Sequence, residues 1–291
     1  RCKAFEGLST MLEIVYSYGN EVEWEEGEYD YTYSESVISL IENYLPVILT
    51  MLPEEPEPKV ELKILELLDN MVTMLGPSFL VETIEDVLKA IEVLVAGKSK
   101  AQETYRMQHE VIEGVDAANA HPIATSAMEL LASIVRVMGA NPSFLPAYQR
   151  IWSGCQSYLT RWNAPGDLTS CYILAESLFE TYERDAVFVV SGILPMLPVT
   201  ASYRNEFTRA NTFYLISLLF DVFPQEMEGH LTEFCDVLRT GLEGYAGDKG
   251  RASDNAVCAL VHMDISYDGQ FTEEVLLSVL PFLRSEERRV G

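Results

Sequence analysis

The residues best suited to chemistry, four histidines and five cysteines, are scattered along the chain. Zinc ligands recur at short, regular spacings, and neither a His-Glu-x-x-His motif nor a Cys-x-x-Cys pair occurs. The nucleotide-binding and nucleophile-elbow glycine motifs are also missing from the sequence. The sequence therefore predicts no catalytic site, no metal centre and no cofactor. An enzyme with an unfamiliar site is the weaker alternative.

The cysteines favour a reducing compartment, the cytosol or the nucleus, because they are odd in number and unpaired in sequence. Three of them, Cys171, Cys235 and Cys258, sit among apolar residues at helical spacing, where a thiol behaves as a small hydrophobic group. The sequence has no apolar run that we expect to cross a bilayer.

The net charge is −25 at pH 7, with a pI near 4.4. This balance argues against direct nucleic-acid binding, which needs Lys and Arg for phosphate contacts, and against docking on an anionic membrane. It favours basic partners, whose encounter a negative field accelerates. The alternative is that the charge merely keeps copies of the protein apart.

One short stretch, EVEWEEGEYDYTYSE at residues 21–35, combines seven acids with four aromatic residues. Acids attract basic chains, and aromatic rings add cation–π contacts with Lys or Arg. A mobile, solvated loop is the alternative interpretation. The candidate binding residues here are Trp24, Glu25, Glu26, Glu28 and Asp30.

Apolar residues elsewhere recur every three or four positions, the period of an α-helix. Two faces are especially clear, and no strand pattern appears. The first face comprises Val60, Ile64, Leu67, Leu68, Met71 and Leu75; the second comprises Ile84, Val87, Leu88, Ile91 and Leu94.

Internal similarity indicates repeats. NMVTMLGPSFL at 70–80 matches SIVRVMGANPSFL at 133–145, each reading as a helix end, a Gly/Pro turn and a helix start. The anchors Phe144, Phe188, Leu231 and Val275 are 44, 43 and 44 residues apart, the spacing of HEAT or armadillo units. We therefore predict one solenoid over 1–283, with about six helix pairs and an insertion near 97–120.

Three predicted second helices begin with polar clusters: GDLTSCYILAESLFE, YRNEFTRANTFYLISLLFD and RASDNAVCALVHM, at 166–180, 203–221 and 251–263. Ser253 or Asp254 of the third could cap its helix. The series resembles the C-terminal HEAT repeats of the importin-beta (karyopherin) family, nearest the importin four branch, which carries ribosomal proteins and histones. Leu168 and Thr169 depart from that pattern, as does His262.

The resemblance implies an all-α, right-handed superhelical array of antiparallel helix pairs. It implies a monomeric, non-enzymatic carrier that shuttles between cytoplasm and nucleus. The implied partners are basic protein cargo, Phe-Gly nucleoporins in apolar grooves between outer helices, and the GTPase Ran, whose main contacts lie in N-terminal repeats outside this chain. A HEAT scaffold subunit of a phosphatase or signalling complex is the alternative.

Two residue sets follow from this resemblance. The second helices of the family line the concave, cargo-facing side, and polar residues at their starts form a ladder of hydrogen bonds between repeats. The implied cargo-facing residues are Glu61, Glu66, Asp69, Asn70, Glu129, Glu176 and Glu180. The implied ladder residues are Arg209, Asn211, Asp254 and Asn255.

The two ends of the chain suggest a fragment. The chain starts at Arg1, inside a helical pattern, and RSEERRVG at 284–291 reads like a translated sequencing adapter. We expect the tail to be non-native and leave it out of the fold prediction.

Overall fold

The computed structural model describes residues 1–19, 24–109, 122–160, 165–243 and 250–270, together with 273 and 277. Within these residues the chain is all α-helix, short 3₁₀ turns and loops, with no strand, so the predicted all-α class is confirmed. The chain divides into two compact units, 1–181 and 182–291.

The first unit contains eight long helices, the last of which ends at the unit boundary. They are α1 (Cys2–Gly19), α2 (Glu35–Met51), α3 (Pro58–Leu75), α4 (Ile84–Val95), α5 (Lys100–His109), α6 (Pro122–Met138), α7 (Leu145–Leu159) and α8 (Pro165–Tyr182). Helix α3 packs against α1 and α6, and α4 packs against α2, α6 and α7. Helices α2, α4 and α7 are the first helices of their pairs, and α1, α3 and α6 are second helices. First helices thus pack on first helices and second helices on second helices, as in a HEAT array.

The predicted apolar faces form the core of this unit. Every residue of both faces is buried, from Val60 to Leu75 on α3 and from Ile84 to Leu94 on α4. Pro58 opens α3 at a position whose N–H would be unpaired in any case, and Gly76 closes it with φ +72°. Periodicity and the Gly/Pro turn therefore determine both the faces and the ends of this helix.

The second unit is built around the pair α11 (Glu206–Val222) and α14 (Arg251–Ser266). Helix α13 (Leu231–Glu243) packs against α14, and the described part of the unit also contains the shorter helices α9 (Val187–Ile193), α10 (Leu197–Thr200) and α12 (Pro224–Met227). Fully buried aromatic side chains, Phe213, Phe220, Phe223 and Phe234, fill its core.

The capping prediction for α14 is wrong. The helix begins at Arg251, after the N-cap Gly250, so Ser253 and Asp254 already lie inside its first turn. The Ala252 N–H instead donates to Oε1 of Glu206 on α11, at 3.0 Å. A carboxylate from the neighbouring helix thus serves the N-terminal amides of α14.

Glycine at position 250 makes room for that carboxylate. A Cβ there would lie 2.2 Å from Glu206 Oε1, closer than any packed contact allows.

The expectation that no apolar run could cross a bilayer is also corrected. The segment Glu35–Glu54 is long and apolar enough by composition, with a mean hydropathy of 1.4. Glu42 interrupts this apolar segment, so the segment is not evident as a continuous apolar run in the sequence. Of this apolar window 22% is buried, including Val37, Leu45 and Ile48, and a single helix of this kind is weak evidence for a membrane.

Two sequence predictions lie partly or wholly outside the described residues. Helix α5 occupies part of the predicted insertion, whereas residues 110–121 are not described. The suspected adapter tail at 284–291 is likewise outside, and the division into about six repeats stays a prediction.

Candidate functional site

The acidic aromatic stretch forms a strap, residues 24–34, that lies against the C-terminal end of α3. The indole Nε1 of Trp24 donates to the Met74 carbonyl at 3.0 Å, and the Tyr33 hydroxyl donates to the Leu75 carbonyl at 2.5 Å. Both acceptors are last-turn carbonyls, which have no partner within their own helix. The strap therefore caps α3.

The same strap reaches the repeat-equivalent end of α6. The Gly27 N–H donates to the Val137 carbonyl at 3.1 Å, and the Tyr29 hydroxyl donates to the Met138 carbonyl. Between the two helix ends, Ser78 accepts from the Tyr31 N–H at 2.8 Å and donates to the Glu28 carbonyl. These bonds hold residues 24–34 in place, so the alternative of a loosely solvated loop does not describe them.

The indole of Trp24 packs directly against Gly76. A Cβ at this position would lie 2.3 Å from Cδ2 of the indole, and its φ of +72° is in the region that glycine prefers. The glycine that ends α3 therefore also leaves the space in which Trp24 of the strap packs.

The strap separates its aromatic residues from its acids. The aromatic residues bind the helix ends, whereas Glu25, Glu26, Glu28 and Asp30 are all exposed. These carboxylates lie beside the C-terminal ends of two helices, which carry partial negative charge. The surface is thus strongly negative and suited to attract a basic chain.

A groove of about 580 Å³ opens between the strap, α2 and the α3–α4 turn. Apolar and aromatic side chains line it, and Glu42 and Glu82 add exposed carboxylates. Burial raises the pKa of Tyr33, which lines it too, to about 12, so this phenol stays protonated at physiological pH. The lining is Tyr29, Tyr31, Thr32, Tyr33, Ile38, Ile41, Glu42, Leu45, Pro46, Ser78, Phe79, Val81, Glu82 and Thr83.

The acids implied on the second helices divide by exposure. Glu66, Glu129 and Glu180 are exposed, whereas Asp69 and Glu176 are half-buried. Two of the exposed acids already interact: Glu66 pairs with Lys63 at 2.6 Å, and Glu129 accepts from Ser170 at 2.7 Å. The half-buried Asn70 donates to Ser9 of α1 at 3.3 Å.

Glu61 does not lie on the solvated face that its spacing suggested. It is fully buried, and Oε2 accepts from the Ser99 hydroxyl at 3.0 Å. Desolvation raises the pKa of this carboxyl to about 8, and the nearby Glu55 adds to the increase. The loop leading to α5 covers Glu61, which is therefore a core residue and not a surface ligand.

The four predicted ladder residues have different surroundings. Asn255 donates from Nδ2 to the Ala210 carbonyl at 2.8 Å and so links α14 to α11. Arg209 pairs with Glu206 of its own helix at 2.5 Å. Asn211 is buried, and Asp254 is exposed. Their shared ladder role stays a prediction.

Sequence reasoning missed further polar links between second helices. Thr125 donates to Asp167 at 3.1 Å, joining α6 to α8, and Ser266 donates to the Phe220 carbonyl at 2.7 Å, joining α14 to α11. The polar residues at the start of α8 were a usable signal for the first link. The bond from Ala252 to Glu206 could not be predicted from the local sequence, because the two residues are 46 positions apart.

No group of three or more His, Cys, Asp or Glu side chains within the described ranges could hold a metal ion. His262 lies 3.6 Å from Asp221, as a link between α14 and α11. The arrangement is thus one of surfaces and grooves that can bind a chain.

Comparison with known proteins gives one kind of match. No protein-family model matches this sequence, and no curated protein does. Among solved structures, the chain is similar to the karyopherin Kap121p bound to the SUMO protease Ulp1p, with a TM-score of 0.64 and 15% sequence identity. The match covers 84% of this chain and 23% of that one, so the chain spans about a quarter of its structural relative. The likeness shows a karyopherin-type, all-α solenoid fold.

Proposed function

We propose that this chain is part of a nuclear transport receptor that carries basic proteins, such as ribosomal proteins and histones, through the nuclear pore. The observation that carries the proposal is the karyopherin-type stacking of helix pairs in a chain of net charge −25. The structural relative is bound to a protein, so a protein partner for this fold has a precedent. The importin four branch, shuttling and Ran-dependent release belong to the same proposal.

Cargo binding is supported by exposed acids in the first unit. The strap presents four carboxylates, and α3 and α6 add Glu66 and Glu129. Long-range attraction between opposite charges speeds encounter and weakens with salt. The proposed mechanism is binding and release, with no bond made or broken.

Nucleoporin binding is assigned to the groove between the first helices α4 and α7. This groove has a volume of about 600 Å³, and its lining includes Val81, Ile84, Leu88, Phe144 and Pro146. The apolar part of this groove could accept a bulky aromatic side chain, and charged residues such as Lys89 and Arg150 lie beside it.

Pull-downs on immobilised Phe-Gly repeats test the assignment. We expect the 291-residue chain to bind them, and Val81→Asp, at a groove residue that is 44% exposed, to abolish binding. Ile14→Asp is the matched control, because Ile14 is half-exposed on α1, away from the groove. Absence of binding to Phe-Gly repeats, and to GTP-loaded Ran by the longer natural protein, would favour a HEAT scaffold subunit instead.

A further inference from the structure

The groove beside the strap differs from the groove between α4 and α7. Both are lined by the repeated Ser-Phe pair, Ser78-Phe79 in one and Ser143-Phe144 in the other. The second groove contains its own cations: Lys89 pairs with Asp86 at 3.2 Å, and Arg150 pairs with Glu92 at 2.9 Å. Among the described residues, no Lys, Arg or His lines the first groove, where Glu42 and Glu82 are exposed.

The hydrogen-bonding groups of the first groove are mainly acceptors. The hydroxyl protons of Tyr29, Tyr33 and Ser78 are already donated to backbone carbonyls. Tyr29 and Tyr33 therefore offer the groove ring faces and no free hydroxyl proton.

Pro46 adds one more acceptor. It lies inside α2 and has no N–H, so the carbonyl of Glu42 lacks its usual donor one turn ahead. Both Pro46 and Glu42 line the groove. The Glu82 carboxylate lies on the α3–α4 side of the same groove.

We infer that this groove binds arginine or lysine side chains from an extended segment of a basic protein. Such side chains have a long apolar stem and a head that only donates hydrogen bonds. Ile38, Ile41 and Val81 would contact the stem, and the carboxylates of Glu42 and Glu82 would receive the head. The ring of Tyr31 adds a face for cation–π contact. The inference deepens the proposed function, on which it rests for the basic nature of the partner.

Fluorescence anisotropy with a short labelled peptide of alternating arginine and isoleucine tests the inference. We expect saturable binding, and a loss of about ten-fold or more when citrulline, the neutral isostere, replaces arginine. The double variant Glu42→Gln/Glu82→Gln should lose about as much. Equal affinity for the two peptides would overturn the inference.

The matched control is the double variant Glu85→Gln/Asp86→Asn, which changes the net charge equally at residues that line the second groove and not the first, whereas Glu82 lines both. It should lose less than about two-fold, because only the general field changes. Equal losses in the two double variants would show that the field of the whole chain, not the groove, binds the peptide. A competition experiment gives a further check with a Phe-Gly peptide that binds the chain with equal affinity. If that peptide displaces the arginine peptide from the groove beside the strap, where binding depends on Glu42, the inference is overturned.

Substitution of Tyr31 separates stacking from folding. Tyr31→Phe should keep peptide affinity and Tyr31→Leu should lower it, with thermal melts showing whether the strap stays seated. If Tyr31→Leu unfolds, the Glu42→Gln/Glu82→Gln variant still tests the groove, because both of its carboxylates are exposed. Stacking is refuted if Tyr31→Leu melts normally and binds the peptide normally.

Capture of a whole core histone distinguishes this inference from the proposed function. If the wild-type chain and the Glu42→Gln/Glu82→Gln variant capture the histone equally, the groove assignment fails and the proposed function stands. If the arginine peptide needs the groove but histone capture and Phe-Gly binding both fail, the groove stands and the transport proposal fails.

Discussion

At the scale of single residues, Glu61 shows how burial changes a carboxyl group. In the folded chain its pKa is about 8, against 4.5 ordinarily, mainly because burial disfavours the charged form. The folded state therefore holds a proton that the unfolded state has lost. The stability that this proton provides is present below pH 4.5 and is lost as the pH rises through 8.

We predict that Glu61→Gln raises stability at pH 7, by at most about 3 kcal/mol. The glutamine is neutral at every pH and keeps an oxygen that can accept from Ser99. Urea unfolding between pH 5 and pH 8 measures the effect, since the difference between variant and wild type should grow with pH. A constant difference across that range would contradict the raised pKa.

Gly76 is the second residue with a sharp prediction. Gly76→Ala meets both an unfavourable φ and the Trp24 indole, so we expect a destabilisation of about 2–4 kcal/mol. Gly97→Ala is the matched control, because its φ is +70° with nothing within 4 Å of the new Cβ. It should cost only about 1 kcal/mol.

A Trp24→Ala background completes the test of the strap. Without the indole, Gly76→Ala should cost no more than Gly97→Ala in thermal or urea unfolding. If the cost of Gly76→Ala stays unchanged, the strap does not pack on α3 as described.

At the scale of elements, the hydrogen bond from Asn255 on α14 to Ala210 on α11 is the part of the predicted ladder that can be tested. Asn255→Ala should lower stability by about 1–3 kcal/mol, because it leaves the Ala210 carbonyl without its donor. Asn43→Ala is the control: Asn43 is exposed and bonds only within α2, so its loss should cost under about 0.5 kcal/mol. Equal melting temperatures for wild type and Asn255→Ala would show that Asn255 does not stabilise the predicted ladder.

Helix faces and helix ends could be predicted from the sequence, because both depend on residues close together along the chain. The buried faces of α3 and α4 follow directly from a period of three and four. The start of α14 was misplaced, because its capping carboxylate comes from Glu206 on another helix.

The candidate site could be predicted in composition but not in geometry. The acids and aromatic residues of the strap were identified, yet their separation into exposed carboxylates and buried anchors depends on distant partners. Trp24 bonds to a residue 50 positions away, and Tyr29 to one 109 positions away. Glu61 was misplaced for the same reason, since its cover, Ser99, is 38 residues away.

At the scale of the whole molecule, the proposal of basic cargo rests on the fold and on the acidic charge together. Stacked helix pairs provide long surfaces, and a net charge of −25 makes basic proteins the favoured ligands. Neither property alone selects transport, because HEAT scaffolds share the fold.

Titration calorimetry of the 291-residue chain with a core histone, at increasing salt, tests basic-protein binding most directly. We predict saturable binding that weakens steadily as salt rises, and no binding to an acidic protein of similar size. Absence of histone binding at low salt, or equal binding of the acidic protein, would contradict the proposal that this chain carries basic cargo.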